Sequence, residues 1–141
     1  MGLDMFAYSA ARAGARQDYW DGYDWDKKTS NQPEPRELAY WRKHPNLHGW
    51  MEQLWHEKGR PGARQWSATD MFNGVELELT REDIDQLEQD ILSGRISDLR
   101  TVGFFFGNAS DDHYREQDLA FVREARADLF MGLRVFYNSS W

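Results

Sequence analysis

The chain has 141 residues, a formal net charge of −7 at pH 7 and no cysteine. This length fits a single domain, residues 1–141, and the absence of thiols excludes disulfides, thiolate metal sites and cysteine nucleophiles. Acids outnumber bases by 24 to 17, which argues against direct nucleic-acid binding. No segment is apolar for long enough to span a membrane, and the N-terminus lacks a secretory signal pattern. We therefore expect a soluble cytoplasmic protein.

Aromatic residues make up 15% of the chain: seven Trp, eight Phe and six Tyr, against three Ile and four Val. This composition predicts a core built from rings and leucine, with some rings half-exposed at the surface. The mean hydropathy of −0.83 alone is typical of a disordered chain. So many large rings indicate a packed domain instead.

The first strand is predicted at Leu3–Tyr8, where apolar and polar residues alternate. Residues 18–35 form a polar and aromatic stretch interrupted by glycine, asparagine and two prolines, and we expect a long loop there. A loop of this length is typical of functional or mobile segments.

A helix is predicted from about Arg36 to Glu57 because its second half carries an apolar stripe at helical spacing. The stripe consists of Leu47, Trp50, Met51, Leu54 and Trp55. Pro45 lies inside this range, so we expect a kink or two abutting helices at that residue.

The second half of the chain alternates strands with helices. Strands are predicted at Val75–Leu79, at the apolar run Val102–Phe106 and at Leu133–Tyr137. Helices are predicted from the cap Thr80 to Gly94 and from Asp111 or Asp112 to Phe130. The resulting order βαβαβαβ predicts an α/β or α+β two-layer sandwich, with three helices on one side of a sheet of about four strands.

Four residues on the first predicted helix have the spacing and chemistry of metal ligands: His44, His48, Glu52 and His56. Steps of four place them on one flank of an unbroken helix, and imidazoles with a carboxylate suit zinc. Pro45 favours a cap position for His44, however, and His56 lies too far from His44 to share one ion. Asp111, Asp112 and His113 suit either helix capping or a cation. The sequence predicts no metal and no cofactor.

Two aromatic segments are candidates for recognition. Tyr40–Lys43 places two rings beside two cations, which suits an anion or a stacked base. In the 18–35 loop, Tyr19, Trp20, Tyr23 and Trp25 are interspersed with Asp18, Asp21, Asp24 and Asp26. Such a loop either docks a basic partner or folds back over the core. The run Phe104–Phe106 is more typical of a core strand than of a recognition surface.

Five short segments, taken in order, resemble a family of bacteriophage and prophage proteins. They are Gly2–Met5, Tyr40–Lys43, His48 with Trp50, Gly103–Gly107 and Tyr137–Trp141. The resemblance spans nearly the whole chain and implies a phage gene expressed in the bacterial cytoplasm, with no established activity. Pro45 and the 18–35 segment depart from the family pattern.

Three functions are compatible with these features. The first is a phage accessory protein that binds a small anionic ligand or a host factor in a polar-aromatic pocket. The pocket residues we predict are Asp4, Glu37, Tyr40, Trp41, Arg42, His48, Tyr114, Ser139, Ser140 and Trp141.

The second is an acidic interaction protein that blocks a host protein, using the net charge and the Asp-aromatic loop. The third is a small enzyme in which His48, with Glu37 or Glu52, acts as general acid and base. The two-residue period of the last strand also predicts that Ser139 and Trp141 face inward, with Trp141 buried.

Overall fold

The structure is a computed structural model that describes residues 3–61, 72–98 and 111–140. In these ranges the chain forms four α-helices, one four-stranded antiparallel sheet and one two-stranded sheet. The elements are β1 (Asp4–Ala10), α1 (Ala15–Asp21), β2 (Tyr23–Asp24), β3 (Thr29–Ser30), β4 (Arg36–Arg42), α2 (Pro45–Glu57), β5 (Leu77–Leu79), α3 (Arg81–Ser93), a 3-10 turn (Arg95–Asp98), α4 (Asp111–Phe130) and β6 (Arg134–Ser140).

The main sheet has the strand order β4-β1-β6-β5, and every neighbouring pair is antiparallel. Strand β1 is therefore paired along both edges, with Met5 opposite Trp41 on one side and Ser139 on the other. Because residues directly opposite share a face of the sheet, Met5, Trp41 and Ser139 all point the same way. We call this side the inner face and the opposite side the outer face.

The inner face carries the main core. Sheet residues such as Met5, Leu77 and Val135 form one buried cluster with residues of the three long helices α2, α3 and α4. The helices contribute apolar stripes at helical spacing: Leu47, Met51 and Trp55 from α2, Ile84, Leu87 and Ile91 from α3, and Phe121, Val122 and Ala125 from α4.

A smaller cluster covers part of the outer face, where Tyr8 and Phe136 stack and Ala15 of α1 packs against them. Glu76 attaches α1 to this face, because its carboxylate accepts from the Tyr8 hydroxyl at 2.6 Å and from the Gly14 backbone N–H at 3.0 Å. Gly14 has φ +77°, a conformation that glycine adopts without strain. Helices thus lie on both sides of the sheet, not on one side as expected.

Residues 18–35 differ from the predicted loop. Their first part completes helix α1, and the hairpin β2–β3 follows. Gly22 makes the tight junction between them: a Cβ atom there would lie 2.0 Å from the Asn31 side chain. The Gly22 carbonyl accepts from the Asn31 N–H, which closes the base of the hairpin. Short elements with so few residues leave little periodicity in the sequence.

The predicted helix 36–57 is a strand followed by a helix. Residues Arg36–Arg42 form edge strand β4, and α2 begins only at Pro45. Proline suits the first helical turn, where its missing N–H has no intrahelical partner, and it disfavours helical backbone in the residue before it. His44 accordingly lies outside the helix, at φ −106° and ψ 79°. Pro45 therefore starts α2 and does not kink a longer helix.

The remaining predicted elements mostly agree with the structure. Strands β1, β5 and β6 and helices α3 and α4 form where alternation or helical spacing predicts them, and mixed α and β structure is confirmed. Three helices in the order βαβαβαβ are not confirmed, since the described residues hold four helices and β4 replaces part of one. The predicted strand Val102–Phe106 lies outside the described residues.

Helix α3 starts with a capping box, which generates a test of the fold. The Thr80 hydroxyl accepts from the Asp83 N–H, and the Asp83 carboxylate accepts from the Thr80 N–H. We expect Thr80→Ala to lower the free energy of unfolding by about 1 kcal/mol, because one N–H at the helix start loses its acceptor. Urea denaturation measures this change. Thr80→Ser keeps the hydroxyl and should stay near wild type; equal losses in both variants would contradict the assignment.

Candidate functional site

A groove of about 490 Å³ lies on the outer face, between strands β1 and β4 and helix α1. Its charged walls are three carboxylates, Asp4, Glu34 and Glu37, and one guanidinium, Arg16. Glu34 and Glu37 make no ion pair with any described residue, and both are exposed. Carboxylates thus outnumber cations in the groove by three to one, which favours a cationic occupant over an anionic one.

A β-bulge brings Glu37 to this face. The register of β1 and β4 shifts between Ala7 and Tyr8, so Ala7 lies opposite Ala39 and Tyr8 lies opposite Glu37. The extra residue in β4 is Leu38. A bulge re-aims the side chains that follow it, and here it places Glu37 beside Tyr8 on the outer face.

Aromatic rings make up much of the rest of the groove. Phe6 and Tyr8 form its floor, and the Arg16 guanidinium carbon lies 4.4 Å from the centre of the Phe6 ring and 5.9 Å from that of Tyr8. These distances are those of cation–π contacts. The protein's own Arg16 thus shows that a guanidinium fits against this aromatic floor.

Tyr40 and Asp4 link the two strands at one end of the groove. The Tyr40 hydroxyl donates to Asp4 Oδ1 at 2.7 Å, and this hydrogen bond raises the pKa of Tyr40 above its ordinary value. Arg42 Nε lies 3.9 Å from the same carboxylate oxygen. Asp4 is therefore held in place and keeps its charge close to the groove.

Next to the groove lies a cluster of four rings: Tyr19, Trp20, Tyr23 and Trp25, which we call the ring cluster. Neighbouring ring centres are 4.6–6.0 Å apart, in edge-to-face, tilted and stacked arrangements. Trp25 is 73% exposed and Trp20 is 44% exposed. The sequence left open whether these rings fold back over the core or dock a basic partner. The rings pack on one another at the surface and do not cover the main core.

The hairpin holds the ring cluster in this position. Tyr23 pairs with Ser30 across β2 and β3, and the Ser30 hydroxyl donates to the Tyr19 carbonyl at 2.6 Å. Asp24 Oδ1 accepts from the N–H groups of Asp26 and Lys27, which fixes the turn after Trp25. Exposed rings on a hydrogen-bonded hairpin lose little entropy on binding.

The structure divides the predicted site residues between the two faces. Asp4, Glu37, Tyr40 and Ser140 line the outer groove, with Arg42 beside Asp4. The others that the structure describes point elsewhere, so the ten residues share no single cavity. Trp41, His48 and Ser139 are buried on the inner side, Tyr114 donates to the Arg42 and Lys43 carbonyls, and Trp141 lies outside the described residues.

Adjacent strand residues explain this division. Tyr40 and Trp41 are neighbours in β4, and Ser139 and Ser140 are neighbours in β6, so each pair must point to opposite faces. Three further residues line the groove and were not among the predicted pocket residues: Arg16, Trp20 and Glu34. Trp20 and Glu34 lie in the aromatic and acidic segment 18–35, whereas Arg16 precedes that segment and no sequence signal indicated it.

Two of the candidate histidines, His48 and His44, belong to separate clusters of buried polar groups on the inner side. His48 is 0% exposed, and its Nδ1 lies 2.6 Å from the Tyr137 hydroxyl. Burial lowers the pKa of His48 to about 4 and raises that of Tyr137 well above its ordinary value. At neutral pH both groups are uncharged. Glu37, one of the predicted acid-base partners of His48, lies on the opposite face of the sheet.

His44 belongs to the second cluster. Asp118 of α4 accepts from the Trp41 indole N–H at 2.9 Å and bonds His44 Nε2 at 2.8 Å, with all three side chains buried. The His44 ring stacks on Tyr114 with centres 4.0 Å apart. These contacts connect β4, the start of α2 and α4, so we interpret the cluster as structural.

The metal candidates do not come together in the described part of the chain. His44 lies before α2 and bonds Asp118, whereas His48 bonds Tyr137 and His56 is exposed. Among residues 3–61, 72–98 and 111–140, no three His, Asp or Glu side chains are arranged to hold a metal ion. The side chains of residues 111–113 lie outside the description.

Comparison with known proteins gives no indication of function, so the groove and the ring cluster are the features from which a function can be inferred. No family model, no curated protein and no solved structure matches this chain. Within the described ranges, none of the helices is both long and apolar enough to cross a membrane.

The buried His48 predicts how stability depends on pH. The unfolded chain binds a proton near pH 6.5, but the folded chain does so only near pH 4, so acidification between these values favours unfolding. From about pH 7.5 to about pH 5.5 we expect the free energy of unfolding to fall by about 1.3 kcal/mol. Chemical denaturation at several pH values measures the slope.

Two variants assign this slope to its residue. His48→Gln should be less stable but should lose most of the pH dependence, because the side chain no longer titrates. His56→Gln removes an exposed imidazole and should retain the wild-type slope. A slope that persists in His48→Gln would mean that His48 does not carry it.

Proposed function

We propose that the protein acts by binding and that its outer groove and ring cluster dock a basic segment of a partner protein. The observation that carries the proposal is the pair of exposed indoles, Trp20 and Trp25, packed beside a groove with three carboxylates. Exposed aromatic clusters are uncommon on a surface that binds nothing. Lysine and arginine side chains complement both components, since they pair with carboxylates and stack on rings.

The energetic contributions set the expected strength. An exposed cation–π contact stabilises by about 0.5–1 kcal/mol, and an exposed ion pair by about 0–1 kcal/mol. Several such contacts together give moderate affinity, with much of the specificity arising from the spacing of the charges. The net charge of −7 also attracts a basic partner over distance, an effect that salt screens.

A small anionic ligand fits the groove less well than a basic segment. Such a ligand would need the guanidiniums of Arg16 and Arg42, but Arg16 lies over Phe6 and Arg42 lies beside Asp4. The carboxylates of Glu34 and Glu37, which form no ion pair with a described residue, would repel it. Lysine or arginine side chains would instead be attracted to both carboxylates.

The motif resemblance supplies the proposed setting. A phage-encoded accessory protein in the bacterial cytoplasm would meet host proteins whose basic surfaces normally bind nucleic acid. An acidic surface with projecting rings could occupy such a host surface and block it. The ring cluster and the carboxylates of the groove support this reading.

A fluorescent peptide rich in arginine and lysine tests the proposal. We expect it to bind wild-type protein, to bind more weakly as salt rises from about 50 mM to about 500 mM, and to be undisplaced by a glutamate-rich peptide. The variant Trp20→Ala/Trp25→Ala should weaken binding by about tenfold, as expected for two lost cation–π contacts. Fluorescence anisotropy measures the affinity.

Matched variants distinguish the ring cluster from general charge. Leu92→Ala removes an exposed apolar side chain on α3 and should leave peptide affinity unchanged, while Glu34→Gln/Glu37→Gln should reduce both the affinity and its salt dependence. The proposal is wrong if no basic peptide binds. It is also wrong if Leu92→Ala weakens binding as much as the double tryptophan variant.

A further inference from the structure

A second exposed apolar surface lies on the helical layer, where α4 ends. Phe130 is 89% exposed and Met131 is 75% exposed, beside a groove of about 660 Å³ that Arg81 and Arg123 also line. We call these four residues the arginine surface. It combines large apolar side chains with positive charge, in a chain whose net charge is negative.

The exposure of Phe130 and Met131 is fixed by the backbone. The Met131 N–H donates to the Ala127 and Asp128 carbonyls, and the Leu133 N–H donates to Asp128 as the chain turns into β6. Gly132 has φ +89°, which permits this turn. The two side chains are therefore held in solvent by an ordered helix end.

The cations of this groove differ in their partners. Arg126 bonds Asp85 at 2.9 Å and Glu88 at 3.1 Å, and hydrogen bonds to these carboxylates raise its pKa. The guanidinium groups of Arg81 and Arg123 make no hydrogen bond or ion pair with any residue that the structure describes. Two guanidiniums beside exposed apolar side chains are thus available to an acidic, aromatic partner.

We infer that the arginine surface binds the ring cluster of a second copy of this chain. The ring cluster offers exposed indoles for the guanidiniums and for Phe130, and next to it Asp21 and Asp26 are exposed carboxylates that form no ion pair with a described residue. The complementarity holds in both charge and apolar character. A second copy of the chain thus supplies the acidic and aromatic groups that the arginine surface would bind.

The two surfaces fix the geometry of the association. The ring cluster belongs to α1 and the hairpin, whereas the arginine surface belongs to α3, α4 and the turn after α4. Two different patches meeting head to tail form a heterologous interface, which propagates into a chain or closes into a ring. The inference rests on the ring cluster of the proposed function but requires no outside partner.

Complementary variants test the inference. Trp25→Ala/Asp26→Arg disables the ring cluster, and Arg81→Glu/Arg123→Glu disables the arginine surface; every changed residue is exposed, so the fold should persist. We expect wild type to associate with rising concentration in sedimentation velocity, more weakly at high salt, and each variant alone to remain at the monomer mass of 16.7 kDa. An equimolar mixture should form a dimer, because it retains one intact pair of surfaces.

Three results would overturn the inference: a wild type that stays monomeric at all concentrations, a variant that still associates alone, or a mixture that stays monomeric. Association of the first variant alone would indicate a symmetric contact through the arginine surface. The peptide titration in the Arg81→Glu/Arg123→Glu background separates the two proposals. If the protein binds the peptide but does not self-associate, the proposed function stands and the further inference is wrong. If the protein self-associates but does not bind the peptide, the proposed function is wrong.

Discussion

Strand β1 is hydrogen-bonded along both edges, and its two-residue period decides which parts of the molecule are core and which are surface. Met5 and Ala7 point into the main cluster, whereas Phe6 and Tyr8 point to the outer face. The pairing with β4 and β6 imposes the same division on their residues. A register slip of one residue would bury the groove residues and expose the core, so the site depends on this pairing.

The outer face is shaped by a few polar contacts, in contrast to the large core beneath the sheet. The Glu76 carboxylate bonds both the Tyr8 hydroxyl and the start of α1. Burial raises the pKa of Tyr8 above its ordinary value, and the hydrogen bond to Glu76 raises it further. The protonated phenol is thus the stable form and keeps donating to the carboxylate. This tie positions α1, and with it Arg16, Tyr19 and Trp20, over the groove.

Local patterns predicted the elements whose residues carry one clear signal. The capping residue Thr80 and the glycine Gly94 bound α3 as expected, because capping acts within one turn of chain. Strand β4 was missed because the helical spacing of residues 47–55 was extended back to Arg36, whereas residues 36–42 form a strand by pairing with β1, far away in sequence. Pro45 indicates the true start of α2, since proline is favoured in the first turn of a helix.

The candidate site was harder to predict than the fold. Asp4, Glu37 and Tyr40 do meet on one face, but their neighbours Trp41 and Ser139 were assigned to the same pocket and lie on the other face. Assigning β4 to a helix removed the alternation that would have separated them. Arg16 joins the groove because α1 packs on the outer face of the sheet, and no local pattern encodes that contact.

The proposed binding surfaces and the buried core belong to different layers of the molecule. The polar groups on the inner side, such as Asp118 with its contacts to Trp41 and His44, are buried and bond to one another. The exposed groups, such as Trp25, Glu34 and Arg123, belong to neither buried hydrophobic cluster. Because removing exposed side chains seldom costs more than about 0.5 kcal/mol, the two surfaces can change without unfolding the core. The hairpin and the end of α4 can therefore change in sequence independently of the sheet and its helices.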